Sequence, residues 1–89
     1  MVSDVLDIGC GQGKIAKALS KELNVFGCDI FPEVKKLGKN FFVHDMEKAQ
    51  TKKKFDSAYC FHVLEHVFDY PLFLKNVNNS LKKKAIFFL

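Results

Sequence analysis

The sequence predicts an α/β fold built on an open, mostly parallel sheet of about five strands with flanking helices. Three observations predict it. Short apolar runs alternate with segments of helical periodicity. The first run stops at the glycine-rich stretch Gly9-Cys10-Gly11-Gln12-Gly13, as a buried parallel strand entering a helix does. Finally, 89 residues at 48% hydrophobic content suffice for one packed domain and leave no room for a second.

Taken in order, Val5-Leu6-Asp7-Ile8 is the first strand. From residue 14 to 23 the apolar residues Ile15, Ala16, Leu19 and Leu23 recur at helical spacing, with Lys14, Lys17 and Lys21 elsewhere on the wheel, which predicts a helix. Residues 24–30 read as a second strand closed by Pro32, and residues 41–45 as a third. Only residues 31–40 join them, so the helix near Glu33 to Leu37 is limited to a turn or two. A fourth apolar run spans residues 55–63. Pro71 opens the next helix, with Asp69 as its N-cap and Phe73, Leu74, Val77 and Leu81 as its stripe. Lys82-Lys83-Lys84 reads as a solvated turn and residues 85–89 as a fifth strand. Ligands of such sheets sit at the carboxyl ends of the strands, here after Ile8, Cys28, Val43 and Tyr59.

Charge and composition narrow the function classes. The net charge is +4, but every cation is Lys; without Arg, bidentate recognition of phosphate or guanine has little support and no nucleic-acid partner is expected. Cys10, Cys28 and Cys60 are odd in number and lie in or beside apolar runs, which predicts reduced thiols rather than a disulfide frame. No apolar run reaches the ~18 residues of a membrane span, and the first residues lack the regions of a signal peptide. A soluble, cytoplasmic protein is expected.

The glycine loop admits three readings. A Walker loop fails, because Ile8 stands where its first glycine belongs and Ile15 where its Ser/Thr belongs. A dinucleotide fingerprint is disfavoured, because the third glycine comes one residue early. The third is a loop for another adenosine-containing cofactor. Asp29, 20 residues after Gly9 near the end of the second strand, stands where a carboxylate accepts both hydroxyls of an unphosphorylated ribose; capping the turn after Pro32 is its blander role.

These residues resemble the class I S-adenosylmethionine-dependent methyltransferases, most closely the ubiquinone-biosynthesis-type branch. Residues 5–13 look like the family's first motif, Asp29 like its ribose acid, His44-Asp45-Met46-Glu47 like its adenine segment, and residues 55–67, with Leu64-Glu65-His66-Val67, like its fourth motif. The resemblance implies a Rossmann-like sheet of order 3-2-1-4-5 and S-adenosyl-L-methionine as cofactor. It implies that Gly9, Gly11 and Gly13 let the backbone approach the methionine half, with Asp7 supporting the loop. Asp29 is implied to bind the ribose hydroxyls, Ile30 to pack on adenine, Asp45 to accept from its exocyclic amine, and Phe61 to lie beside the cofactor. A small-molecule acceptor is expected. The family's last two strands are not in the sequence, so residues 1–89 read as an incomplete domain whose fifth strand forms an edge open to a second copy or a partner chain.

His62-Val63-Leu64-Glu65-His66 also spells an inverted zinc-protease signature. It follows a strand directly and reaches Pro71 within a few residues, too short a helix for the motif, and no metal site is expected. His62 is the candidate general base and His66 a residue of loop packing. A methyltransferase domain is the favoured function; a non-catalytic remnant of the fold and a nicotinamide-binding domain stay open.

Overall fold

The computed structural model describes residues 3–61 and 63–88. Strands β1 (Asp4–Ile8), β2 (Asn24–Asp29), β3 (Phe41–Val43), β4 (Phe55–Cys60) and β5 (Leu81–Phe88) form one sheet in the order β3-β2-β1-β4-β5. Every neighbouring pair is parallel. Helices α1 (Lys14–Leu19) and α2 (Tyr70–Asn79) and two 3-10 turns, Pro32–Leu37 and Leu64–His66, lie in the crossovers other than that from β3 to β4, which has no helix. The expected fold class and strand order are thus observed.

Period-2 alternation sends the strand residues to two faces. Leu6, Ile8, Cys28, Ala58 and Cys60 pack with Phe55, Met46 and with Phe73 and Val77 of α2. Val5, Val25 and Tyr59 meet Ala16 of α1 on the opposite face. The second layer is thin. Of the apolar stripe expected on α1 only Ala16 is buried, while Ile15 is 47% exposed and Leu19 and Leu23 are each 37% exposed.

Several boundaries differ from expectation. Helix α1 ends at Leu19 instead of residue 23, because the Ser20 hydroxyl donates to Lys17 O and competes with the helical ladder. Strand β4 stops at Cys60, level with Ile8, its last partner on β1, and not at residue 63. Strands β2 and β3 end at Asp29 and Val43, which face each other in register. The 82–84 lysines are not a turn: β5 begins at Leu81, opposite Phe55. Lys82 Nζ reaches Asp56 of β4 at 3.1 Å, which gives a cation a partner inside the strand. A bulge between Phe55 and Ser57 accommodates the extra length.

The termini of β1, β2 and β4 are flush, since Ile8 pairs with both Cys28 and Cys60. This alignment gathers the following loops into one rim. Asp69 caps α2, its Oδ1 accepting Leu72 N at 3.0 Å, and fixes where that helix meets the rim. No helix among the described residues is long and apolar enough to cross a membrane.

Candidate functional site

The glycine loop leaves β1 at the centre of the rim. Gly9, Gly11 and Gly13 adopt φ of 73°, 55° and 77°, a left-handed backbone that favours glycine. Four amides of the loop are engaged within the protein. Gly9 N and Cys10 N both donate to Cys28 O at 2.8 and 3.0 Å, Gly13 N donates to Cys10 O, and Gly11 N donates to Asp29 Oδ2 at 2.9 Å. Close packing adds to the conformational demand at Gly9, where a Cβ would fall 2.2 Å from Val63 Cγ2.

Two cavities flank the loop and share Gly9. The larger, of about 400 Å3, lies over the ends of β1, β2 and β3. Asp29, Ile30 and Asp45 line it, together with Phe31, Met46 and Glu47. Its remaining wall includes Val63, His66 and Phe73. Three carboxylates and a largely apolar surface face this space, and no lysine does. Ile30 is 56% exposed at the mouth. Asp29 Oδ1 also accepts Phe31 N at 3.3 Å, so each oxygen takes one amide and retains a lone pair for a ligand. The capping role considered for Asp29 is confined to that amide, since the 3-10 turn starts after Phe31 without a side-chain cap. Asp45 Oδ1 accepts Glu47 N at 2.9 Å.

The second cavity, of about 360 Å3, is lined by Asp7, Gly9, Cys10, Gln12, Lys14, Ile15 and Phe61. Gly11 and Gly13 line neither of these cavities; Gly13 precedes α1, and a Cβ there would meet Leu37 at 3.0 Å. Asp7 is buried, and its Oδ2 accepts the Tyr59 hydroxyl at 2.8 Å. Its tie is therefore to β4, whereas the amides of Gly9, Cys10 and Gly11 are held by Cys28 and Asp29. Burial raises the Asp7 carboxyl to about 6, against the opposing pull of the Tyr59 hydrogen bond. Phe61 stacks on Tyr59 with centroids 5.2 Å apart.

The cysteines are free, and burial pushes Cys10 and Cys28 up to about 12 and Cys60 up to about 11, so these thiols are protonated at neutral pH. His62 lies outside the described residues. His66 ends the three-residue 3-10 turn Leu64–His66, a geometry unlike the helix that an inverted zinc signature requires. No metal-holding cluster of His, Cys, Asp or Glu occurs among the described residues.

Residues 2–89 match the family model described as "Methyltransferase domain". The chain belongs to the class I S-adenosylmethionine-dependent methyltransferases. A curated relative of this methyltransferase domain, the ubiquinone biosynthesis O-methyltransferase of Pelagibacter ubique, is 31% identical over 96% of the chain and 40% of its own length. The domain therefore spans about two fifths of that enzyme. The solved YcgJ protein of Bacillus subtilis superposes with a TM-score of 0.83 at 25% identity, over 97% of this chain and 42% of that one. An S-adenosylmethionine-dependent methyltransferase from Mesorhizobium loti shares the fold with a TM-score of 0.82 at 22% identity, over 98% and 46% of the two chains.

Some site residues carry no sequence signal. Glycine at position 27 is explained only by packing, since a Cβ there would sit 2.7 Å from the Phe41 ring and 2.9 Å from Cys10 Sγ. Tyr59 becomes notable only through its bond to Asp7, and Val63 through its contact with Gly9.

Proposed function

We propose that the methyltransferase domain binds S-adenosylmethionine across the glycine loop and serves methyl transfer to a small-molecule acceptor. The observation that carries this reading is the charge and donor pattern at the rim. Three carboxylates face the larger cavity, and the loop amides of Gly9, Cys10, Gly11 and Gly13 already have partners. A pyrophosphate needs the reverse, free amides and cations. An unphosphorylated adenosine joined to a cationic sulfonium suits this pattern, and a nicotinamide dinucleotide does not.

In this reading Asp29 accepts from the ribose hydroxyls with its remaining lone pairs, Ile30 packs on adenine, and Asp45 accepts from the exocyclic amine. Gly9, Gly11 and Gly13 keep the loop flat where the methionine half crosses it, and Asp7 and Phe61 border its far end. The cofactor supplies a methyl group on a sulfonium leaving group. The domain's part is to orient and exclude water. The name of the curated relatives favours an oxygen nucleophile on the acceptor. We assign proton removal from it to His62, because imidazole is the side chain suited to general-base work at neutral pH. A reducing, cytoplasmic setting accords with the three free thiols.

Calorimetric titration with S-adenosylmethionine, S-adenosylhomocysteine and NAD tests the reading. The two sulfur nucleotides bind and NAD does not. Asp29→Asn is the informative variant: its oxygen still accepts Gly11 N, while loss of the charged acceptor weakens binding by about tenfold or more. Failure of the folded wild type to bind either sulfur nucleotide sinks the proposal in favour of a non-catalytic remnant.

A further inference from the structure

Glu47 lines the larger cavity, yet the function proposed above gives it no task. Its Oε1 accepts Phe68 N at 3.0 Å and Asp69 N at 2.9 Å. These amides lie at the entry to α2, where donors lack intrahelical partners and the helix dipole favours an anion, so both bonds are charge-assisted. Asp69 in turn caps α2 through Leu72 N. On the other side, Glu47 N donates to Asp45 Oδ1, and Met46 O accepts Asn76 Nδ2 of α2 at 2.7 Å. Segment 45–47 is thus clasped to α2 by its backbone and by one carboxylate. The stretch between β4 and that clasp supplies Val63, His66 and Val67 to the same cavity wall.

We propose that Glu47 is a positioning residue that couples filling of the adenosine cavity to ordering of segment 63–69. A donor received by Asp45 steadies the carboxylate that holds Glu47 N. Glu47 transmits that restraint to Phe68 and Asp69, and the segment closes on the ligand. Because linkage is reciprocal, a segment already held by Glu47 tightens the ligand's grip to the same degree. This assignment rests on the cofactor reading.

Hydrogen exchange of segment 63–69, with and without S-adenosylhomocysteine, tests it in wild type, Glu47→Ala and Glu47→Gln, alongside calorimetric affinity. In wild type the ligand slows exchange of the Phe68 and Asp69 amides. In Glu47→Ala that slowing disappears and affinity falls about tenfold, well below the melting temperature. Glu47→Gln, which keeps an accepting oxygen, restores most of both. A merely structural Glu47 would lower the melting temperature while leaving affinity and ligand-induced protection intact, and that result overturns the proposal. So does a Glu47→Gln variant no better than Glu47→Ala. Wild type that binds no S-adenosylhomocysteine overturns the cofactor reading, and this assignment with it; wild type and Glu47→Ala binding equally well overturns this assignment alone.

Discussion

Asp7 is a carboxylate in a strand interior, accepting one hydroxyl from Tyr59 and raised by burial from an ordinary 3.8 to about 6. The native state therefore holds this proton more tightly than the unfolded chain does. Its contribution to stability is most favourable below about pH 4, declines as pH rises through about 6, and is level above that. Asp7→Asn should raise stability at pH 7.5 by about 2 kcal/mol, with the advantage vanishing near pH 4. Urea titrations of both proteins across that range check this, and an Asn variant less stable at pH 7.5 refutes it. A charge retained at such a cost accords with a role beside the second cavity, so the same variant should bind S-adenosylmethionine more weakly. Asp29 differs in kind: it is half-exposed and serves two amides while still facing the larger cavity. Its 20-residue distance from Gly9 is readable from sequence because a strand, a helix and a second strand need about that length. Glu47 has no such regularity, since its partners lie 21 and 22 residues onward, beyond β4.

At the scale of elements, the strands are legible because parallel strands buried on both faces read as apolar runs. Element edges are less so. The 82–84 lysines resemble loop charge, and only Asp56 on the neighbouring strand reveals why one of them sits in β5. The stripe on α1 satisfies helical periodicity but is mostly exposed, because periodicity reports amphipathicity and not what stands opposite. Helix α2 follows expectation at its start: Asp69 caps it, Tyr70 and Pro71 fill its first turn, and Phe73 and Val77 face the core. Asp69→Ala removes the bond to Leu72 N and should cost about 1 kcal/mol in thermal or chemical denaturation. A cap effect near zero would mean that packing alone fixes the start of α2.

Across the whole molecule the two faces of the sheet are unequal. One carries α2 and the larger cluster centred on Leu6, Phe55, Phe73 and Val77; the other carries a six-residue α1 over Val5, Val25 and Tyr59. Protection against hydrogen exchange should follow this asymmetry. Amides of α2 should approach the global unfolding limit, while those of α1 exchange through local opening. Equal protection in both helices would contradict it. The glycine loop stands where the two halves of the sheet meet, and the contact between Gly9 and Val63 joins the loop after β1 to the one after β4. In evolutionary terms this contact lays a second constraint on position 9 without binding position 63 in return. Any side chain at position 9 must pass two filters, a left-handed backbone and the volume already filled by Val63. Shortening residue 63 relieves only the second, so drift at position 63 opens no path away from Gly9. A lineage can change the wall of the larger cavity from the β4 side, where residue 63 is free to shrink, but the β1 side is fixed by backbone geometry before selection acts on binding.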